Sequence, residues 1–208
     1  MPLRILALSD VHGKQAGFEY AVCKVNELVP DIVVLSGDVS NGYDLAQVFT
    51  VLSGFISPVL YVPGNMDPDD FSKDAGAVYA NCHNINGRRK EISGVGFVGI
   101  GAQMSGFLGY VSDIHGVLLT GDVLVSHFPP YGFNDTAYNG GHIGSSDLLQ
   151  LVKTVRPRLV ITGHVHESPG VMRSGGTVYV NPGPAYQSRC ALIEVPRDGD
   201  IEARSITD

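Results

Sequence analysis

Five short apolar runs in this 208-residue chain each end abruptly in polar residues beside glycine, proline or serine. Leu3–Leu8 runs into Asp10-Val11-His12-Gly13, Ile32–Leu35 into Ser36-Gly37-Asp38, and Val59–Val62 into Pro63-Gly64-Asn65-Met66-Asp67. Val123–Val125 runs into Ser126-His127, and Leu159–Ile161 into Thr162-Gly163-His164-Val165-His166. Runs this short and this apolar suit strands covered on both faces; a strand with one wet face would alternate. Helical spacing fills the intervals. Phe18, Ala21, Val22, Val25 and Leu28 share one helical face, and Pro30 stops that helix. Leu45, Val48, Phe49 and Leu52 mark a second helix. Leu148, Leu149, Leu151, Val152 and Val155 mark a third, ending at Arg156-Pro157, with Ser146 or Asp147 as its N-cap. Strands alternating with helices predict an α/β fold. Val78–Ile85, Arg89–Ile100 and Thr177–Val180 are expected as added strands, and Cys190–Val195 and Ile201–Ile206 as a hairpin about Asp198-Gly199. Parallel and antiparallel strands are thus expected together. No linker divides the chain, so residues 1–208 are expected to form one domain.

Composition narrows the partners. Apolar residues make up 44% and charged residues 17%, which is globular rather than disordered. The formal net charge of −7 repels polyanions at long range, so neither nucleic acid nor an anionic membrane is expected as a partner. Cys23, Cys82 and Cys190 are too few and too widely spaced for a disulfide framework, and no CxxC pair offers a thiolate zinc site. Cys23 is expected to be a small buried hydrophobe on the first helix. The apolar stretch at the N-terminus is too short for a signal peptide and ends in Asp10. No segment approaches the ~20 apolar residues of a membrane span. A cytoplasmic protein is expected.

In open α/β sheets, ligands bind beyond the carboxyl ends of the strands. Five polar motifs at five such ends should therefore converge in one crevice. The candidate metal ligands are Asp10, His12, Asp38, Asn65, His127, His164 and His166. Their oxygen and imidazole donors suit divalent manganese, iron, zinc or nickel better than soft copper(I) or hard calcium. Two carboxylates, an amide and four imidazoles exceed what one ion needs and suffice for two that share a carboxylate. Such pairs sit ~3.5–4 Å apart and suit in-line displacement at phosphorus: one ion makes a water acidic, and both neutralise developing charge. Taken singly, most of these motifs are ordinary turns or structural histidines. The meaning lies in their order and in their common position at strand ends.

The series Asp10-x-His12, Gly37-Asp38, Gly64-Asn65-x-Asp67, His127 and Gly163-His164-x-His166 resembles the motif series of the calcineurin-like metallophosphoesterases. The resemblance spans residue 3 to about residue 183. It implies a four-layer α/β/β/α sandwich with two mixed β-sheets and the metals at one edge. It also implies that Asp10, His12, Asp38 and His166 hold one ion and that Asp38, Asn65, His127 and His164 hold the other, with Asp38 bridging. The chain departs from the family at one place. Where the family commonly has the histidine of Gly-Asn-His, associated with protonating the leaving group, this chain has Met66, which has no proton to give. Asp67 matches the acid that orients that missing histidine. Small bacterial and archaeal phosphodiesterases of the family that also lack the histidine are more similar to this chain.

Asp67 and His142 are the candidate catalytic groups. His142 lies in a glycine-rich segment, Gly140–Ser146, ahead of a helix N-terminus that could hold an anion, so it is expected either to contact substrate or only to build the loop. His83 and His115 have no motif around them and are expected to be structural or superficial. Asn181-Pro182-Gly183 is expected to be a structural turn. Gly101–Gly109, with Met104, Phe107 and Leu108, is an apolar loop that either packs or lines a pocket.

The resemblance implies a dinuclear-metal phosphoesterase, with diesters favoured over monoesters, acting on a small phosphate ester by direct attack of an ionised water. Three rivals share the fold. One is a non-catalytic scaffold, as in a retromer subunit; Met66 favours it and the full ligand set opposes it. One is a nuclease, opposed by the net charge. One is a protein phosphatase, opposed by Asp38-Val39-Ser40-Asn41-Gly42, which lacks the Asp-Arg-Gly continuation.

Overall fold

In the computed structural model of the chain, the described residues are 1–42, 44–72, 75–102, 111 and 114–208. Alternation along β1 (Leu3–Leu8) sets the layering. Leu6 and Leu8 enter one core with Val33 and Leu35 of β2 (Ile32–Leu35), while Leu3, Ile5 and Ala7 enter another with Ile32 and Val34. Both faces of each strand are thereby buried, as the continuous apolar runs require.

The first core is closed by α1 (Gln15–Leu28) and α2 (Leu45–Ser53) through Phe18, Ala21, Val25, Val48, Phe49 and Leu52. β3 (Val59–Tyr61) and β4 (Cys82–Asn84) extend the sheet beneath them. The second core lies between sheets. Phe97 of β6 (Val95–Ile100), Val123 and Val125 of β7 (Val123–Ser126) and Leu159 and Ile161 of β8 (Leu159–Ile161) face the inner side of the first sheet. The third core packs Val98, Leu124 and Val160 against Leu148, Leu151 and Val152 of α3 (Ser146–Val155). The layers are therefore helix, sheet, sheet, helix, the expected α/β/β/α sandwich.

The remaining strands are β5 (Arg89–Ile92), β9 (Gly170–Ser174), β10 (Thr177–Asn181), β11 (Arg189–Val195) and β12 (Glu202–Thr207). The sheet orders are β12-β11-β1-β2-β3-β4 and β5-β6-β7-β8-β10-β9. β1 to β4 run parallel, as do β6, β7, β8 and β10, whereas β5, β9, β11 and β12 pair antiparallel. Both sheets are mixed, as expected.

Several local expectations need correction. Cys23 is exposed, not buried. The buried face of α1 is Gly17, Phe18, Tyr20, Ala21, Lys24 and Val25, which turns positions 22 and 23 outward. Lys24 can occupy that face because its ammonium reaches Glu27 and Asp208, each at 2.7 Å. The N-cap of α3 is Ser145, whose hydroxyl accepts from Leu148 N–H, rather than Ser146 or Asp147. Within Val78–Ile85 only Cys82–Asn84 is strand, because Tyr79 N–H turns back to the Ala75 carbonyl and Val78 is exposed. Arg89–Ile100 is two strands reversed at Ser93-Gly94, both of positive φ. Strand β9 was not expected: only its partner β10 carries an apolar run. From residue 103 onward the loop Gly101–Gly109 lies outside the described residues. No helix among the described residues is long and apolar enough to cross a membrane.

Candidate metal centre

The carboxyl ends of β1, β2 and β3 meet those of β7 and β8, and backbone bonds stitch the five following loops together. Asp10 N–H donates to the Gly37 carbonyl at 3.0 Å, and His12 N–H to the Asp38 carbonyl at 2.8 Å. Across the sheets, Ser36 Oγ donates to the Thr162 carbonyl at 2.9 Å, and Gly163 N–H to the His127 carbonyl at 3.0 Å. Asp10, His12, Asp38 and His164 all have positive φ, between 52° and 66°. This left-handed region is uncommon for residues with a Cβ, and Asp and His enter it more readily than most. Such strain persists where surrounding bonds hold it, and it clusters at functional sites.

These turns aim the side chains inward. Asp10, His12 and His166 place ligand atoms within 4.8 Å of one another, and so do Asp10, Asp38 and His127. His166 Nε2 lies 3.2 Å from Asp10 Oδ1 and 3.3 Å from His12 Nε2. His127 Nε2 lies 2.9 Å from Asn65 Oδ1 and 3.5 Å from Asp38 Oδ2. The His164 ring packs against His127 with centroids 5.2 Å apart, and its backbone N–H donates to Asp10 Oδ2 at 3.1 Å. All seven sequence-predicted ligands are therefore gathered in one crevice.

Two placements differ in kind from those of the candidate ligands. Asp67 is buried and binds backbone: it accepts from the N–H groups of Val39, Ser40 and Gly64 and from the Ser40 hydroxyl, at 2.7 to 3.2 Å. Its carboxylate ties the β2 loop to the β3 loop. His142 contacts Asp135, with Nδ1 2.7 Å from Oδ1, and packs its ring 5.1 Å from Tyr131. Asp135 is buried and also accepts from the N–H groups of Gly132 and Gly144, a role that the sequence reading missed. The Asp-x6-His spacing carries no signal that would have found it. His83 is half-buried on β4 and His115 is exposed, and neither belongs to a cluster able to hold a metal among the described residues.

The electrostatics fit a cation. Burial alone would raise Asp10 and Asp38, but the imidazoles around them reverse the sign. His166 and His127 hold Asp10 below the usual carboxylate range, and His127 with the Met66 N–H does the same for Asp38. Burial would loosen the proton of His127, yet Asp38 and Asp10 push that imidazole up to about 9. Burial, reinforced by the charge on His127, brings His164 down to about 4. Burial also lowers His12, against Asp38 and Asp10, whereas the adjacent Asp10 carboxylate raises His166. Burial raises Asp67 despite its N–H partners. Asp10 Oδ1 is buried with no hydrogen-bond partner: its imidazole neighbours are close but poorly aligned for donation. An ionised oxygen so placed is costly unless a cation completes it, and oxygen with imidazole donors is the set that divalent transition metals accept.

The calcineurin-like phosphoesterase family model matches residues 3–168. The chain is 26% identical over 206 residues to an uncharacterized protein of Methanocaldococcus jannaschii, covering 88% of each. Among solved structures it resembles TT1561 of Thermus thermophilus, with a TM-score of 0.75 at 19% identity, over 98% of this chain and 99% of that one. It also resembles an archaeal phosphodiesterase, with a TM-score of 0.65 at 16% identity over the same shares. With the strand ends, the donor set and the family match in agreement, the chain belongs to the calcineurin-like phosphoesterase family. It is a metal-dependent phosphoesterase, of a family that uses a dinuclear divalent centre.

The crevice leaves no room for a side chain at residue 163. A Cβ on Gly163 would fall onto Ser9 Oγ and come within 2.8 Å of Asp10 Oδ2. Overpacking of this kind typically costs about 1–3 kcal/mol. Gly163→Ala is expected to lower the unfolding free energy of the metal-free protein by that amount in chemical denaturation. An unchanged midpoint would mean that the two loops are not in contact.

Proposed function

We propose that this chain hydrolyses a small phosphate diester, using two divalent transition-metal ions drawn from manganese, iron, zinc or nickel. The observation that carries the proposal is that Asp10, His12, Asp38, His127 and His166 converge on a buried, unpartnered Asp10 oxygen, with Asn65 and His164 beside His127. Asp10, His12, Asp38 and His166 would hold one ion, and Asp38, Asn65, His127 and His164 the other. The bridging role of Asp38 is supported by its Oδ2, which lies 3.9 Å from His12 Nε2 and 3.5 Å from His127 Nε2, between the two groups. When bound, such a pair lowers the pKa of a water and neutralises charge developing on the phosphoryl oxygens.

The chain's own residues prepare that chemistry. Met66 N–H donates to Asp38 Oδ1 at 2.7 Å and leaves Oδ2 to face the imidazoles. His127 Nδ1–H donates to the Ser36 carbonyl at 2.8 Å, which turns Nε2 inward. Asp67 acts here as a positioning residue that fixes the loops carrying Asp38 and Asn65. The net charge of −7 supports a small substrate over nucleic acid, and the site of action is proposed to be the cytoplasm.

Diesters are preferred in this proposal because the archaeal phosphodiesterase shares the fold; Met66 has no proton to give to the leaving group of either kind of ester. Asp67 does not compensate, since both its oxygens are already engaged. His142 is the remaining candidate for contact with substrate. Asp135 anchors its Nδ1, and its half-exposed ring leaves Nε2 for a second partner.

Asp38→Ala is expected to abolish binding of both ions and nearly all hydrolysis. Metal analysis of the purified variant checks this, and retention of two tightly bound ions would remove Asp38 from the bridge. General acid catalysis contributes typically 10²–10⁴-fold. Without it at position 66, the rate is expected to fall steeply as leaving-group pKa rises, with nitrophenyl diesters cleaved far faster than alkyl diesters. His142→Ala is expected to lower turnover without altering metal content. A shallow slope in the wild type that becomes steep in His142→Ala would instead identify His142 as the proton donor.

A further inference from the structure

Beside His12 and His166 stands a tyrosine to which no ligand role falls. Tyr186 lies in the 3-10 turn Ala185–Gln187, and its place is set by the chain around it. Pro184 pairs with Ser9, and Ala185 N–H donates to the Ser9 carbonyl at 2.8 Å, one residue before Asp10. On the other side, α1 approaches at Gly17. A Cβ there would stand 3.0 Å from Val11 Cγ1 and 3.3 Å from the Tyr186 backbone nitrogen, so any larger residue would push the turn away. Lys14 Nζ caps the tyrosine ring at 3.5 Å from its centroid, a cation–π contact. The ring meets His12 and His166 edge-on, with centroids 5.7 and 5.8 Å away.

The hydroxyl gives this placement a chemical consequence. Tyr186 Oη lies 3.4 Å from His166 Nδ1 and accepts from Gln187 Nε2 at 3.3 Å. The other ring nitrogen of His166, Nε2, faces Asp10 Oδ1 and His12 Nε2. A cation shared with Asp10 and His12 would therefore meet Nε2, and ligation through Nε2 requires the ring proton on Nδ1. Tyr186 Oη is in place to accept that proton's hydrogen bond.

We propose that Tyr186 is a positioning residue for the metal centre: its hydroxyl holds His166 in the Nδ1–H tautomer and so sets the affinity of the ion held by Asp10, His12, Asp38 and His166. This rests on the ligand assignment above and adds to it a residue outside every matched motif. Partners that orient a ligating histidine typically change metal affinity 10–100-fold when removed. Tyr186→Phe deletes the hydroxyl and keeps the ring that Lys14 and α1 pack against.

The test is calorimetric titration of manganese into metal-free wild type and metal-free Tyr186→Phe, together with the thermal midpoint of each metal-free protein. The wild type is expected to bind two ions. The variant should bind one of them about 10–100-fold more weakly, with the other ion and the thermal midpoint unchanged. If the wild type binds two ions and the variant binds both equally well, the positioning role falls and the metal centre stands. Equal weakening of both sites, with a lowered midpoint, also overturns it, because that marks a structural role. A wild type that binds no manganese overturns the inference and the ligand assignment together.

Discussion

Asp10 and Asp38 are buried at the junction of two sheets, where they repel one another and have given up hydration. The surrounding architecture reads as the set of conditions under which that arrangement can exist. Loops after β1, β7 and β8 bring the imidazoles of His12, His127 and His166 to within 3.2 to 3.9 Å of the carboxylates. His127, fully enclosed, keeps its proton far above the ordinary imidazole range to balance the charge. Four of the candidate ligands, Asp10, His12, Asp38 and His164, adopt left-handed backbone conformations. Strain and buried charge together are destabilising in the metal-free chain. Divalent ions bound in the proposed centre would offset both, since ion binding adds directly to folding stability.

The sandwich gives this cluster its rigidity. Every strand that carries a ligand motif lies inside its sheet, β1 to β3 in one and β7 and β8 in the other, and none lies at an edge. The apolar layer between the sheets, from Ile5 and Val34 to Val125 and Ile161, fixes their separation. The two halves of the donor set come from different sheets, so the centre depends on a core formed by residues far apart in sequence. Asp67 shows the same economy. Its carboxylate, cognate to one that would orient a histidine, spends its lone pairs on backbone N–H groups and holds the loops in register even though position 66 is methionine.

Much of this was legible because buried parallel strands announce themselves. Continuous apolar runs ending in ligand-type residues marked β1, β2, β3, β7 and β8, and the same pattern picked out the seven candidate donors that the structure brings together. What was not legible had weaker local signals. Strand β9 is half-exposed and has no apolar run. The turn at Ser93-Gly94 divides what looked like one strand. Cys23 lies on a helix whose buried face is rotated by Lys24, a residue that composition assigns to the surface until its ion pairs with Glu27 and Asp208 are seen. Asp135 and Tyr186 stand outside any motif. Their roles come from partners 7 and 20 residues away in sequence, which spacing does not reveal.

In the proposed centre, one crevice holds two ions on these seven side chains, with Asp38 common to both. The most direct measurement is an anomalous difference map from crystals grown with manganese. Two peaks are expected, one among Asp10, His12, Asp38 and His166 and one among Asp38, Asn65, His127 and His164. A single peak, or peaks that leave Asp38 outside both coordination spheres, would contradict the account.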